Sequence, residues 1–351
     1  MVNAIPVSVL TGFLGSGKTT LLNRLIKSGG LSDTAFIINE FGDVGIDHLL
    51  VEQSDEGIVE LSDGCLCCTI RSDLVDTLTR LLNRDGGAPA RIVIETTGLA
   101  DPAPVLHALM AHPVLSDRLR LDGVITTVDA VNGSATLDAH EEAVKQVAMA
   151  DRLVVTKTDL TKAEDVTGRL RALNPSARIV MPDAGFAELF DCGLYNPATK
   201  TADVSRWLGE EAAKDGHHHH HHDVNRHDAR IRAFTLATDD AVDSVTLAGF
   251  LDLLQAAHGP NLLRVKGIVR LKEDPDRPVV IHGVQQVFHP PAQLPAWPDD
   301  DHRTRLVMIT RDLEPDFVQR LFDAFTGKPQ IDMPDRAAMM DNPLAVPGVK
   351  L

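Results

Sequence analysis

Short apolar runs alternate with amphipathic stretches from Ile5 to about Val180. The runs Ile5–Leu10, Ala35–Ile38, Ile92–Glu95, Val124–Val128, Leu153–Thr156 and Ile179–Val180 are short, rich in β-branched residues and apolar on both faces. They predict buried strands. Between them, apolar positions recur at helical spacing over Thr19–Lys27, Leu74–Arg84, Pro102–Ala111, Glu141–Ala150 and Glu164–Leu173. Strands alternating with helices of this length predict an α/β fold, a doubly wound, mostly parallel sheet.

The pattern then breaks into a polar stretch with Lys214-Asp215-Gly216 and six consecutive histidines, and resumes in a different order. A strand over Ile231–Leu236 and a helix over Val242–Ala257 are expected next. Strands follow over Leu262–Arg270, Val279–Val284 and Gln286–Phe288. A strand over Arg305–Ile309 and a helix over Glu314–Phe325 close the unit. That order predicts a smaller α+β domain with an antiparallel sheet. The division is therefore 1–203, a polar linker at 204–230, a second domain at 231–326 and a proline-bearing extended tail at 327–351.

The first strand and helix bracket Gly12-Phe13-Leu14-Gly15-Ser16-Gly17-Lys18-Thr19, which fits G-x-x-x-x-G-K-[ST]. In strand–loop–helix context this is a phosphate-binding loop. Gly12, Gly15, Ser16 and Gly17 let successive backbone N–H groups point at phosphate oxygens, and the helix N-terminus before Thr20 adds partial positive charge. Lys18 would reach the β- and γ-phosphates and Thr19 would hold Mg²⁺. Glu95-Thr96-Thr97-Gly98 ends the third predicted strand and would bring an acid near Mg²⁺ and the Gly98 N–H to the γ-phosphate. Thr156-Lys157-Thr158-Asp159 follows the fifth. Asp159 can accept from two guanine donors, and the stem of Lys157 can cover the base. The nucleotide expected is GTP.

Composition narrows the partners. Thirty-four basic against fifty acidic residues leave a formal charge of −16, which argues against nucleic acid and anionic membranes. No secretory signal and no membrane-spanning run is seen, so a cytoplasmic location is expected. Three of the four cysteines, Cys65, Cys67 and Cys68, lie within four positions. Such thiolates suit Zn²⁺, Co²⁺ or Cu⁺ better than a disulfide framework. Glu40, Asp43 or His112 would supply a fourth ligand. His217, His218, His219, His220, His221 and His222 form a second, looser metal-binding tract. Its length matches a purification tag, but it lies between two domains.

With these motifs in place the chain resembles the CobW-like metallochaperone GTPases, particularly zinc-associated bacterial members. The resemblance rests on Thr11–Thr20, Asn39-Glu40-Phe41-Gly42, Gly64-Cys65-Leu66-Cys67-Cys68, Glu95-Thr96-Thr97-Gly98, Thr156–Asp159 and Arg305–Arg311. It covers roughly residues 4–326. It implies GTP hydrolysis with Lys18 stabilising the transferred phosphoryl group, Thr19 and Glu95 at Mg²⁺, and Glu40 or Asp47 ordering the attacking water. It implies Zn²⁺ as cargo, with Co²⁺ for cobalamin synthesis or a nitrile hydratase as the alternative. A client metalloprotein and a second copy of the chain are the expected partners. A metal buffer with vestigial GTPase activity and a small-molecule kinase are the rivals. Two positions depart from the pattern. No guanine-edge motif is recognisable at Met181-Pro182-Asp183-Ala184-Gly185. Ile38 stands where some relatives carry an acid before Asn-Glu-Phe-Gly.

Overall fold

The structure, a computed structural model of the chain, describes residues 4–28, 33–38, 58–60, 69–85, 87–190, 192, 230–289 and 291–328. The expected metal and water-ordering residues Glu40, Asp43, Asp47, Cys65, Cys67, Cys68 and His217 to His222 lie outside these residues, as does the tail from 329.

The N-terminal sheet has seven strands: β1 Ile5–Gly12, β2 Thr34–Ile38, β3 Ile58–Glu60, β4 Arg91–Glu95, β5 Leu119–Asp129, β6 Arg152–Thr156 and β7 Arg178–Val180. Their order is β3-β2-β4-β1-β5-β6-β7 and every pairing is parallel. Parallel strands need crossovers, and the helices that supply them cover both faces. One face packs Val7, Val9, Ile37, Ile92, Ile94 and Val124 against α2 (Thr69–Leu82), α3 (Ala103–Ala111) and α4 (Pro113–Arg118). The other packs Leu10, Phe36, Val93, Ile125 and Val154 against Leu21, Leu22 and Leu25 of α1 (Lys18–Lys27) and against Leu189 of α8 (Phe186–Leu189). Beyond β5, Leu153 and Val155 bury under α5 (Gly133–Ala139), α6 (Glu141–Ala148) and α7 (Glu164–Leu173).

Six of the seven strands match the apolar runs. The strand β5 is longer than its run because Asp122 interrupts the pattern. That carboxylate is buried, accepting from Ser8 Oγ at 2.8 Å and pairing with Arg91 Nη1 at 2.8 Å. A paired charge thus sits where periodicity reads a break. The helix α2 starts at Thr69, five residues before the expected Leu74. The three-residue β3 and the short α4, α5 and α8 have no counterpart among the expected elements.

The C-terminal domain is antiparallel, as expected. It comprises β8 Ile231–Thr238, α9 Ser244–His258, β9 Leu262–Val269, β10 Val279–Val284, β11 Val287–Phe288, β12 Ala292–Gln293, β13 Thr304–Arg311 and α10 Pro315–Phe325. The sheet order is β11-β10-β9-β13-β8, with β12 on β10. Asp243 caps α9 by accepting from the N–H groups of Val245 and Thr246. Phe234, Leu236, Leu306 and Met308 bury against Phe250 of α9 and Phe322 of α10, whose rings meet edge-on at 5.2 Å. The opposite sheet face docks on the first domain. Ile231, Leu263 and Ile309 join a cluster with Val144 and Val147 of α6 and Leu170 of α7. Between these apolar contacts Asp151, just before β6, meets Arg264 Nη2 at 2.6 Å and Lys266 Nζ at 2.8 Å, all three buried. Arg311 adds a half-exposed pair with Glu141 at 3.2 Å.

Candidate functional site

Three chain segments converge at the C-terminal ends of β1, β4, β5 and β6, where open parallel sheets place ligands. The first is the loop from Gly12 to Lys18. Gly12 has φ 141°, Gly15 φ 70° and Gly17 φ 91°, so three of its positions need the backbone freedom of glycine. A β-carbon at Gly12 would stand 2.5 Å from the Thr127 carbonyl oxygen and 2.7 Å from Ser16 Oγ. Ser16 Oγ is 2.7 Å from Thr127 Oγ1, which ties the loop to β5. Gly17 opens α1, so the first N–H groups of that helix face the loop's concavity. Lys18 Nζ donates to the carbonyls of Gly12 at 2.9 Å and Phe13 at 3.4 Å. Thr19 is half-buried and Thr20 is exposed on the first turn.

The second segment follows β4. Thr96 donates its N–H to the Leu10 carbonyl at 2.9 Å and its hydroxyl to Thr11 Oγ1 at 2.8 Å, joining it to β1. Glu95 is buried, and its Oε1 accepts from Thr19 Oγ1 at 3.4 Å. A hydroxyl and a carboxylate oxygen so placed beside a phosphate loop are hard donors that fit Mg²⁺. The backbone of Gly98 lies against Leu14, and a β-carbon there would come within 2.7 Å of the Leu14 nitrogen. The two loops therefore share one surface.

The third segment follows β6. Thr156 Oγ1 donates to the Ser16 carbonyl at 2.7 Å, fastening the motif Thr156–Asp159 to the phosphate loop. Lys157 adopts φ 58°, in the left-handed region. Its ammonium lies 2.7 Å from Asp129 Oδ2 at the end of β5. Asp129 also accepts from the Val131 N–H at 2.7 Å and Asn132 Nδ2 at 3.0 Å. Burial pushes its carboxyl up, but the Lys157, Asn132 and Val131 hydrogen bonds outweigh that and hold it below the ordinary carboxylate value. Asp159 is exposed at the rim. The loop Met181–Gly185 is fastened to α1, where Arg24 donates to the Asp183 carbonyl at 3.2 Å and the Ala184 carbonyl at 2.7 Å.

The structure thus gathers Gly12, Gly15, Ser16, Gly17, Lys18, Thr19, Glu95, Gly98, Thr156 and Lys157 into one region. His112 is not among them. It joins α3 to α4, at the end of α3 away from Gly98. Among the described residues no three His, Cys, Asp or Glu side chains form a metal-holding group. Sequence reading missed Thr127 and Asp129. Asp129 carries the signal that singled out Glu95, an acid closing an apolar strand, one residue beyond the run Val124–Val128. No helix among the described residues is long and apolar enough to cross a membrane.

Comparison with known proteins agrees with this geometry. The family model described as CobW/HypB/UreG, nucleotide-binding domain, matches residues 6–181. The one described as cobalamin synthesis protein cobW C-terminal domain matches residues 231–326. The zinc chaperone YjiA of Escherichia coli is 33% identical over 324 residues, covering 91% of this chain and 98% of that protein. A zinc-regulated GTPase metalloprotein activator of Schizosaccharomyces pombe is 34% identical over 205 residues, covering 54% of this chain and 50% of that protein. The crystal structure of Zn(II)-bound YjiA GTPase from Escherichia coli superposes with a TM-score of 0.65 at 25% identity, covering 92% of this chain and 99% of that one.

Proposed function

The chain belongs to the CobW/HypB/UreG family of nucleotide-binding proteins and carries a CobW C-terminal domain, and from that membership we propose that it hydrolyses GTP to load and deliver Zn²⁺. The observation that carries this reading is the meeting of Thr19 and Glu95 at the mouth of the Gly12–Lys18 loop, with Gly98 packed on Leu14. A triphosphate in that loop places its terminal phosphate between the backbone of Gly98 and the ammonium of Lys18. Thr19 and Glu95 would hold Mg²⁺, which would supply positive charge against the phosphate oxygens. Asp159 selects guanine by accepting from two donors that adenine lacks.

Zinc is cargo in this scheme. Its ligands are the thiolates of Cys65, Cys67 and Cys68, supported by their spacing and by the zinc in the relatives' names. These cysteines lie in sequence between the Asn39–Gly42 loop and β4, the segments that a γ-phosphate orders in switching nucleotide hydrolases. GTP therefore tightens the thiolate site, and hydrolysis relaxes it toward a client metalloprotein. The His217–His222 tract collects ions at lower affinity.

A competition titration against a chromogenic zinc chelator tests the coupling, with Mg²⁺ plus a non-hydrolysable GTP analogue compared with Mg²⁺ plus GDP. Coupled sites differ by about 5–150-fold, and a Zn²⁺ affinity higher by such a factor with the analogue is expected. Cys67→Ala removes the difference. Equal affinities in the two nucleotide states overturn the gating, and absence of phosphate release from GTP overturns the hydrolysis.

A further inference from the structure

The turn that follows β4 is held from outside by a residue of α6. Ala100 N–H donates to the Thr97 carbonyl at 3.1 Å, closing a tight turn with Gly98 inside it. Gly98 faces Leu14 of the phosphate loop. A glycine there has backbone freedom that nothing in its own side chain restrains. Gln146, 1% exposed, supplies the restraint. Its Nε2 donates to the Gly98 carbonyl at 3.1 Å and to the Ala100 carbonyl at 3.0 Å. Two carbonyl acceptors dictate which end of the amide faces the turn, because the carboxamide oxygen would be repelled by both. The next residue back, Lys145, pairs with Asp101 at 3.0 Å, so α6 holds the loop at Gly98, Ala100 and Asp101. The helix itself is fixed to the sheet, since Thr126 Oγ1 of β5 donates to the Gln146 carbonyl at 2.9 Å. Thr126 is in register with Thr11 of β1, immediately before the phosphate loop.

We infer that Gln146 is a positioning residue for the γ-phosphate. By holding the carbonyls of Gly98 and Ala100 it fixes the turn so that the Gly98 N–H is aimed across Leu14 at the terminal phosphate of GTP. The inference rests on the GTP-hydrolysis reading above and adds to it a residue that touches neither nucleotide nor metal. GDP carries no γ-phosphate, so its binding does not use this aim. The signature of Gln146 is therefore a change in the preference for triphosphate over diphosphate, distinct from a general loss of affinity.

Gln146→Glu keeps the shape and replaces the donor by an acceptor. Gln146→Leu removes both polar ends and serves where the buried carboxylate prevents folding. Affinities for a non-hydrolysable GTP analogue and for GDP are measured on the full chain by fluorescent-nucleotide displacement, with kcat and KM for GTP alongside. Losing both hydrogen bonds frees the turn and lowers the analogue-to-GDP affinity ratio by about tenfold or more. The kcat falls with it, while GDP affinity stays within about twofold. Val144→Ala, which removes apolar volume from the same helix, lowers the melting temperature and leaves the ratio unchanged. An unchanged ratio in both Gln146 variants, or equal losses for analogue and GDP, overturns the inference. Absence of GTP turnover in the unaltered chain instead overturns the hydrolysis reading, and the affinity ratio still decides the role of Gln146.

Discussion

Gly12 and Gly15 both sit at positive φ in the same loop but answer to different forces. A β-carbon at Gly12 meets the Thr127 carbonyl at 2.5 Å, whereas one at Gly15 meets nothing within 4 Å. Gly15→Ala therefore costs only the left-handed backbone, about 1–2 kcal/mol. Gly12→Ala adds displacement of β1 from β5, so that its total reaches about 2–5 kcal/mol once overpacking is included. Thermal melts of the two variants are expected in that order. A Gly15→Ala protein melting below Gly12→Ala would show that sterics at Thr127 do not govern the loop. Residues of this kind were legible in the sequence, because the spacing of glycines, Lys18 and Thr19 is itself the chemistry. Lys157 was read as a cover for the base, and its ammonium proves to be held by Asp129. Neither that ion pair nor the hydrogen bond from Thr156 to Ser16 is visible in a local pattern, since each joins residues brought together only by sheet register.

At the scale of elements the strands and long helices follow the apolar periodicity, and the exceptions are positions where a charge is buried with its partner. On β9, Arg264 and Lys266 alternate with Leu263 and Val265, a pattern that reads as one wet face. That face is instead closed over Asp151, which also accepts from the Val124 N–H of β5 at 2.9 Å. Burial pushes the Asp151 carboxyl up, and the charges of Arg264 and Lys266 outweigh it and hold it far below the ordinary carboxylate range. Burial holds the His282 imidazole well below its usual value, so it remains neutral beside them. Asp151→Asn leaves two buried cations without their counter-charge, a change that costs about 3–5 kcal/mol. A depressed carboxyl contributes stability above its unfolded value of about 3.9 and loses it as pH falls through the folded value. The unaltered protein should accordingly lose urea resistance below about pH 4 more steeply than Asp151→Asn. Parallel pH profiles of the two proteins would refute the assignment. The exposed pair of Arg311 with Glu141 should contribute little at any pH.

Among the described residues two sheets, one parallel and one antiparallel, are joined through α3, α6, α7 and the edge before β6. Their classes and order were readable from the alternation of runs, whereas the face that joins them was not. Apolar positions such as Ile231 and Ile309 say that a surface is covered and do not say by what. The placement of β1 has a consequence for how the protein is made. The strand β1 is the centre of the sheet, and its Ser8 meets its partner Asp122 only 114 positions later. At synthesis rates of about 5–20 residues per second the nascent phosphate loop waits on the order of ten seconds for β5. Until β4 is made the strand lacks both its neighbours, and until β5 is made it lacks one, and parallel pairings so distant in sequence close slowly. Ribosome-bound chains stalled before β5 has cleared the tunnel should be cut readily by protease, and chains stalled after Asp159 has cleared it should gain protection and retain labelled GTP. A nucleotide seated where β1 and β5 end together binds the paired strands and not the open one, so it favours the closed sheet.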